Sequence, residues 1–142
     1  SLPVTDERMT RFWITLEHGI KFVLNSIDMM RGCELFIPKT PSIKITDLVK
    51  ALGQNLKYHI VGIRPGEKLH EVLCPQESAR DTLEFKDYYL IRPFPFDYTE
   101  SRIKRYQVNQ NKEKGKFVKD DFLYSSNTNS RFLSIKELKK LI

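Results

Sequence analysis

The chain has 142 residues, enough for about one domain that buries roughly two-thirds of its unfolded surface. Its composition, with 40% hydrophobic and 30% charged residues, excludes a disordered or fibrous class. A net charge of +6 would suit a nucleic-acid backbone, a membrane surface or a small polyanion such as a nucleotide diphosphate, and charge alone does not choose among them.

Cysteine content and the N-terminal segment indicate the compartment. Cys33 and Cys74 are too few for a disulfide framework and lack CxxC spacing, so reduced thiols are expected. No apolar run approaches the ~20 residues needed to cross a bilayer, and no signal-peptide pattern is present. We expect a cytoplasmic protein without a membrane anchor. Ser1 followed directly by an apolar-Pro-apolar phrase is typical of a cut chain.

The first clear element in chain order is a helix. Its apolar residues follow steps of three and four: Leu16, Ile20, Val23, Leu24 and Ile27. Thr15 can cap the start, and Gly32 stands where a left-handed C-terminal cap is favoured.

Short strands and a second helix are predicted next. Residues 35–37 and 43–45 have strand patterns, the first closed by Pro38. Thr46 is the expected N-cap of a short helix that ends at Gly53, and residues 58–63 form a further strand.

The pattern then changes at a turn. Residues 64–67 read Arg-Pro-Gly-Glu, and Leu69, Val72 and Leu73 lie on one helical face until Pro75. Residues 82–92 predict one or two strands. Periodicity is lost over residues 94–119, where we expect an extended basic arm, and Ser134 with Glu137 forms a capping box that opens a terminal helix.

Most catalytic patterns are absent. None of the six glycines has the GxGxxG spacing of a dinucleotide loop or the Walker spacing, and no Tyr is followed four residues later by Lys. We therefore expect no catalytic and no cofactor-binding residue in this chain.

Metal and nucleic-acid sites are also disfavoured. His70 and Cys74 could share a helical edge, but no third ligand has a telling spacing, so no metal site is expected. The basic arm could stack on single-stranded nucleic acid, yet acidic residues interrupt it, and we expect no nucleic-acid partner.

The informative segment is the turn at residues 64–67. Arg64 offers a fork of donors suited to diphosphate oxygens, and Glu67 can accept the hydroxyls of a ribose. The alternative is a turn whose Arg and Glu pair with each other at the surface, worth about 0–1 kcal/mol. For Arg11 the choice is between a second ligand contact and a salt bridge to Glu7 or Glu17. The residues alone leave both questions open.

Several phrases together resemble one family. They are LPVTD at residues 2–6, MTRFWITL at residues 9–16, GIRPGEKLHE at residues 62–71 and FLYSSNTN at residues 122–129. The chain is similar to the inverting UDP-N-acetylglucosamine 4,6-dehydratases of polysaccharide biosynthesis, within the extended short-chain dehydrogenase/reductase class. The likeness covers nearly the whole chain and is weakest over residues 94–119.

The resemblance implies an α/β fold: the C-terminal substrate-binding lobe of a Rossmann-type enzyme, lacking the N-terminal dinucleotide-binding lobe. The family's NADP and its catalytic Asp, Lys and Tyr belong to that other lobe. The family oxidises C4 of the sugar, eliminates water across C5 and C6, and returns the hydride to C6 with inversion at C5. A UDP-sugar partner and a homo-oligomeric complete enzyme in pseudaminic acid or related surface-sugar synthesis are expected, and this chain alone should be inactive.

Site residues carried over from the family are Arg64 for the diphosphate, Glu67 for the uridine ribose and Arg11 as a second phosphate contact. Thr5 and Asn129 are expected to line the pocket. Residues 1–99 would form the substrate lobe, and residues 100–142 the arm and terminal helix. The alternatives are a related UDP-sugar dehydratase or epimerase, or a non-catalytic nucleotide-binding or oligomerisation module.

Overall fold

A computed structural model describes residues 1–53, 55–93 and 99–142, apart from the side chain of Arg102. The chain forms two compact units. Unit 1 comprises Ser1–Thr15, Thr40–Val72 and Tyr124–Ile142, and unit 2 comprises Leu16–Lys39 and Leu73–Leu123. Both units mix helices and strands, so the α/β class is confirmed. The predicted division into a substrate lobe, residues 1–99, and an arm with a terminal helix, residues 100–142, separates the chain by role rather than by compactness. It stays a prediction.

Unit 1 is built from short paired strands and helices. Strand β1 (Leu2–Val4) runs parallel to β5 (Tyr58–Ile60), and β2 (Thr10–Phe12) runs antiparallel to β4 (Ser42–Lys44). The other elements of this unit are α2 (Ile45–Leu52), β10 (Tyr124–Ser125) and α4 (Ile135–Leu141).

The core of unit 1 joins segments that are far apart in sequence. Ile43 from β4 and Ala51 from α2 are buried with Leu133 and Leu138, and Trp13 packs against this cluster. The predicted capping box is confirmed, because Ser134 accepts from the Glu137 N–H and the Glu137 carboxylate accepts from the Ser134 N–H. The last segment of the chain therefore folds onto the first as part of one core.

Unit 2 contains an antiparallel sheet. Its strand order is β3 (Leu35–Pro38), β8 (Tyr88–Ile91), β7 (Thr82–Glu84) and β9 (Lys116–Phe117). Its helices are α1 (Leu16–Met29) and α3 (Glu100–Gln107), and a 3-10 turn spans Gln76–Asp81. Strand β6 (Val72–Cys74) contains the boundary between the two units.

Helix α1 is confirmed, but the face that revealed it in the sequence is exposed. Phe22 and Met29 pack against the core of unit 2, whose buried members are Leu83, Phe85, Tyr88 and Leu90. The opposite, apolar face of α1 is more than half exposed, at Leu16, Ile20, Val23, Leu24 and Ile27. Helical periodicity located the helix correctly without showing which side the unit itself covers.

The second helix starts without the cap that the sequence predicts. Helix α2 begins at Ile45 rather than after Thr46, and its N-cap residue, Lys44, makes no side-chain capping bond. The first helical N–H, that of Ile45, instead donates to the carbonyl of Met9 at 3.1 Å. A backbone acceptor from a neighbouring segment therefore replaces the expected hydroxyl cap.

Two further predictions are wrong. The chain after the 64–67 turn forms no helix at Leu69 to Leu73; it enters β6 at Val72. The basic arm is not extended throughout, because α3 occupies residues 100–107, where Tyr106 packs on the core of unit 2. Residues 94–98 of the predicted arm lie outside the described residues.

The exposed face of α1 generates a prediction. The 142-residue chain alone should self-associate, because a contiguous apolar helix face of this size favours burial against a second surface. Leu24→Glu should shift the chain toward monomer in sedimentation-velocity experiments.

The matched control is Asn25→Glu, which adds the same charge about 100° round α1 from Leu24, on the side toward Phe22 and Met29, and should leave association unchanged. A wild-type chain that sediments as a monomer and melts sharply and reversibly would contradict the prediction.

Candidate functional site

The turn at residues 64–67 follows β5 in unit 1. The Val61 N–H donates to the carbonyl of Val4 at 2.9 Å, which anchors the chain just before the turn. Gly62 and Gly66 have φ values of 84° and 80°, a region that other residues enter only at a cost. The Glu67 N–H donates to the Arg64 carbonyl at 3.0 Å and closes the bend.

The carboxylate of Glu67 is directed by its own turn. Its Oε2 accepts from the backbone N–H of Arg64 at 3.2 Å, and its Oε1 accepts from the hydroxyl of Thr5 at 3.5 Å, a long contact. Each oxygen keeps a further acceptor position, since a carboxylate has about four lone-pair sites. The structure thus brings together Thr5, Arg64 and Glu67, three of the residues predicted for the site.

The guanidinium of Arg64 is exposed. In the part of the chain that the structure describes, Arg64 forms its hydrogen bonds through the backbone, and no carboxylate pairs with its side chain. The alternative in which Arg64 and Glu67 merely neutralise each other is therefore not what the turn adopts. Its planar fork of five donors remains available to an anionic ligand.

Arg11 lies on β2 and is directed at the segment that follows the turn. Its Nη2 donates to the carbonyl of Lys68 at 2.9 Å, and its Nη1 donates to that of Leu69 at 3.1 Å. Its Nε is 3.6 Å from a carboxylate oxygen of Glu71, so the ion pair involves neither Glu7 nor Glu17. These contacts hold residues 68–71, and the phosphate contact stays a prediction.

Asn129 joins other parts of unit 1. Its Nδ2 donates to the carbonyl of Thr40 at 2.8 Å and to the hydroxyl of Ser42 at 3.0 Å. Its Oδ1 accepts from the Arg131 N–H at 3.3 Å. No described contact joins Asn129 to the turn, and its role as a pocket residue stays a prediction.

Three residues that sequence analysis did not assign to the site form a hydrogen-bonded network beside it, in which Thr10 and Ser126 are buried and His70 is half-buried. The Thr10 hydroxyl is 2.8 Å from Nδ1 of His70 and 2.6 Å from the Ser126 hydroxyl. Ser126 also accepts from the Glu71 N–H at 2.9 Å. The only sequence signal was that Thr10, His70 and Ser126 fall inside three of the family phrases.

A second cation near the start of the chain is already paired. Arg8 makes two side-chain hydrogen bonds to the carboxylate of Asp6, at 2.9 and 2.7 Å. These bonds lower the pKa of Asp6 to about 2, so the carboxylate keeps its charge at neutral pH. Arg8 is therefore committed to Asp6, unlike Arg64.

The suggested pairing of His70 with Cys74 on a helical edge does not exist, because no helix forms there. The Cys74 thiol is buried and lies 3.4 Å from the hydroxyl of Thr82, and burial raises its pKa. Within residues 1–53, 55–93 and 99–142, no three His, Cys, Asp or Glu side chains are grouped to hold a metal ion.

Comparison with known proteins assigns the family. Residues 1–93 match the sequence profile of the family described as "Polysaccharide biosynthesis protein". The chain belongs to this family. Among individual proteins, it is 50% identical over 141 residues to the "UDP-N-acetylglucosamine 4,6-dehydratase (inverting)" of Campylobacter jejuni, and 32% identical over 145 residues to the "UDP-glucose 4-epimerase" of Rickettsia canadensis.

A similar solved structure is that of Pen from Bacillus thuringiensis. It matches 99% of this chain with a TM-score of 0.76 and 27% sequence identity. The chain spans 40% of that structure's chain and 42% of the Campylobacter relative's length. The fold thus corresponds to one part of that longer structure. Of the helices that the structure describes, none has the length and apolar character to span a bilayer.

The geometry of the turn predicts a contrast between two glycines. Gly66→Ala should lower the free energy of unfolding by about 1–2 kcal/mol, because alanine is strained at positive φ although nothing lies within 4 Å of the added carbon. Gly19→Ala should raise it by roughly 0.5–1 kcal/mol, because Gly19 is helical with open space. Urea denaturation of both variants checks this, and equal effects would contradict the assigned turn conformation.

Proposed function

We propose that this chain is the C-terminal, substrate-binding part of an NADP-dependent, C5-inverting UDP-N-acetylglucosamine 4,6-dehydratase. The complete enzyme would be a cytoplasmic homo-oligomer that begins pseudaminic acid or related surface-sugar biosynthesis. The 50% identity to the Campylobacter dehydratase supports the activity. The observation that carries the site is the exposed, uncommitted guanidinium of Arg64 beside the directed carboxylate of Glu67.

In this proposal Arg64 binds the diphosphate and Glu67 binds the ribose. A guanidinium can donate two parallel hydrogen bonds to phosphate oxygens, and a carboxylate can accept from two neighbouring hydroxyls. The backbone N–H of Arg64 holds the Glu67 carboxylate over its own turn, and the Thr5 hydroxyl lies 3.5 Å from the other carboxylate oxygen, so less side-chain entropy is lost when ligand binds. No helix begins after the turn, so this site binds phosphate without a helix dipole.

The chemistry is assigned to another part of the protein. None of the six glycines here has dinucleotide-loop spacing, and no Tyr and Lys are spaced for proton transfer, so the chain itself fits neither the cofactor nor the catalytic role. NADP would supply a reversible hydride acceptor. This chain would hold the UDP group, whose remote binding energy positions the sugar for reaction.

A substitution at Arg64 tests the site. In the complete enzyme, Arg64→Ala should weaken UDP binding roughly 10- to 150-fold, the equivalent of losing a charge-assisted hydrogen bond of about 1.5–3 kcal/mol. Isothermal titration calorimetry with UDP measures the effect. Arg80→Ala, which removes another exposed arginine, should leave the affinity unchanged. Wild-type affinity in Arg64→Ala would remove Arg64 from the site.

Product analysis tests the reaction. The complete enzyme should convert UDP-N-acetylglucosamine to a 4-keto-6-deoxy sugar with inverted C5, and NMR of the reaction in D₂O should show solvent deuterium at C5. The likeness to UDP-glucose 4-epimerases favours a second candidate, an epimerase. An epimerase would return a C4 epimer that keeps its 6-hydroxyl, and that product would overturn the dehydratase assignment.

A further inference from the structure

The segment that follows the turn, residues 68–71, is held from two sides within unit 1. Its Leu69 carbonyl accepts from the Thr10 N–H at 3.2 Å and from Arg11. Its Glu71 N–H donates to the Ser126 hydroxyl, and its Glu71 carbonyl accepts from the Ser126 N–H at 2.8 Å. The turn therefore lies between two stretches of backbone that are held by hydrogen bonds, one at Val61 and the other at residues 68–71.

Three side chains connect these anchors through one chain of contacts. Ser126 is fully buried and Thr10 is 5% exposed. Water therefore cannot replace a hydrogen bond that either side chain loses in a variant. The Thr10 hydroxyl lies between Nδ1 of His70 at 2.8 Å and the Ser126 hydroxyl at 2.6 Å. The Ser126 hydroxyl is also 3.2 Å from the Thr10 carbonyl.

Counting protons gives these contacts a direction. A carbonyl only accepts, so the single hydrogen of Ser126 must point to the Thr10 carbonyl for that bond to exist. Ser126 then accepts from the Glu71 N–H and from the Thr10 hydroxyl. With its hydrogen used, Thr10 can only accept from His70, so Nδ1 must carry a hydrogen. Any other arrangement leaves one of the four bonds unmade.

We propose that Thr10, His70 and Ser126 are positioning residues for the nucleotide: a directed chain of hydrogen bonds, His70 Nδ1–H to Thr10 to Ser126, that holds residues 68–71 and thereby sets the turn bearing Arg64 and Glu67. This inference rests on the proposed function of the turn. None of the three residues makes a described hydrogen bond to Arg64 or Glu67. Their effect is on how well the turn is pre-organised.

The first test reads the ring directly. Long-range ¹⁵N–¹H correlation spectra of the complete protein, recorded at about pH 8 where an ordinary histidine is neutral, report the imidazole tautomer. His70→Gln identifies the signal of His70 by its loss from the spectrum. The Nδ1–H form is expected in the wild type. An Nε2–H ring would overturn the directed chain.

The second test uses Thr10, where two substitutions separate the hydroxyl from the shape. Thr10→Val keeps the volume and removes the hydroxyl, and should raise the Kd for UDP and the KM for the UDP-sugar about 10-fold while kcat changes little. Thr10→Ser restores the hydroxyl and should restore both constants. A role in stability alone would lower the active fraction, and so the apparent kcat, without raising KM.

Thr82→Val is the matched control. It removes another buried hydroxyl, one that donates to the Ser78 carbonyl at 2.7 Å, and should cost stability without raising KM. If Thr10→Val behaves like Thr82→Val, the positioning role is refuted.

A double-mutant cycle distinguishes failure of this inference from failure of the proposed site. Because the chain acts through the turn, Thr10→Val should weaken UDP binding much less in an Arg64→Ala background than in the wild type. Full additivity would show that Thr10 does not act through Arg64. If Arg64→Ala alone has no effect on UDP binding, the nucleotide site itself is wrong.

Discussion

The backbone groups of residues 68–71 are bound by partners from the two ends of the chain, and the surroundings of the turn depend on this constraint. Arg11 and Thr10 from β2 bind the carbonyls of Lys68 and Leu69, while Ser126 binds both backbone groups of Glu71. Ser126 is fully buried, and a polar group buried without a partner costs about 1–3 kcal/mol, so its bonds to Glu71 are hard to exchange for others. The segment cannot become helical while its carbonyls are so engaged.

The arginines of unit 1 near the start of the chain and in the turn differ in their partners. Arg8 is committed to Asp6, and Arg11 is committed to backbone carbonyls and to Glu71. The guanidinium of Arg64 has no such commitment among the described residues, and it projects from a bend whose φ values are set by glycine. An incoming diphosphate would therefore exchange water for protein at Arg64 without first breaking an internal ion pair, which would cost part of the binding energy.

Sequence patterns predicted the local features of this chain and failed where distant segments intervene. Helix α1 and the Ser134 capping box follow from short-range periodicity and were located correctly. The helix expected after the turn rested on three apolar residues at helical spacing, and tertiary hydrogen bonds to residues 68–71 override that pattern. Helix α3 was missed because its two apolar residues, Ile103 and Tyr106, give little periodic signal in a strongly charged segment.

The candidate site shows the same division. Arg64 and Glu67 could be proposed from four adjacent residues, because the chemistry of a donor fork and a carboxylate on a stiff bend is local. The network behind them could not, since Thr10 and Ser126 are 116 positions apart and neither residue type signals a site by itself. In the proposed site, a turn that is not already held in place would have to be ordered when ligand binds, and that ordering would cost affinity. Rigid support from distant segments is thus part of what such a turn requires, and it is the part that only the folded chain reveals.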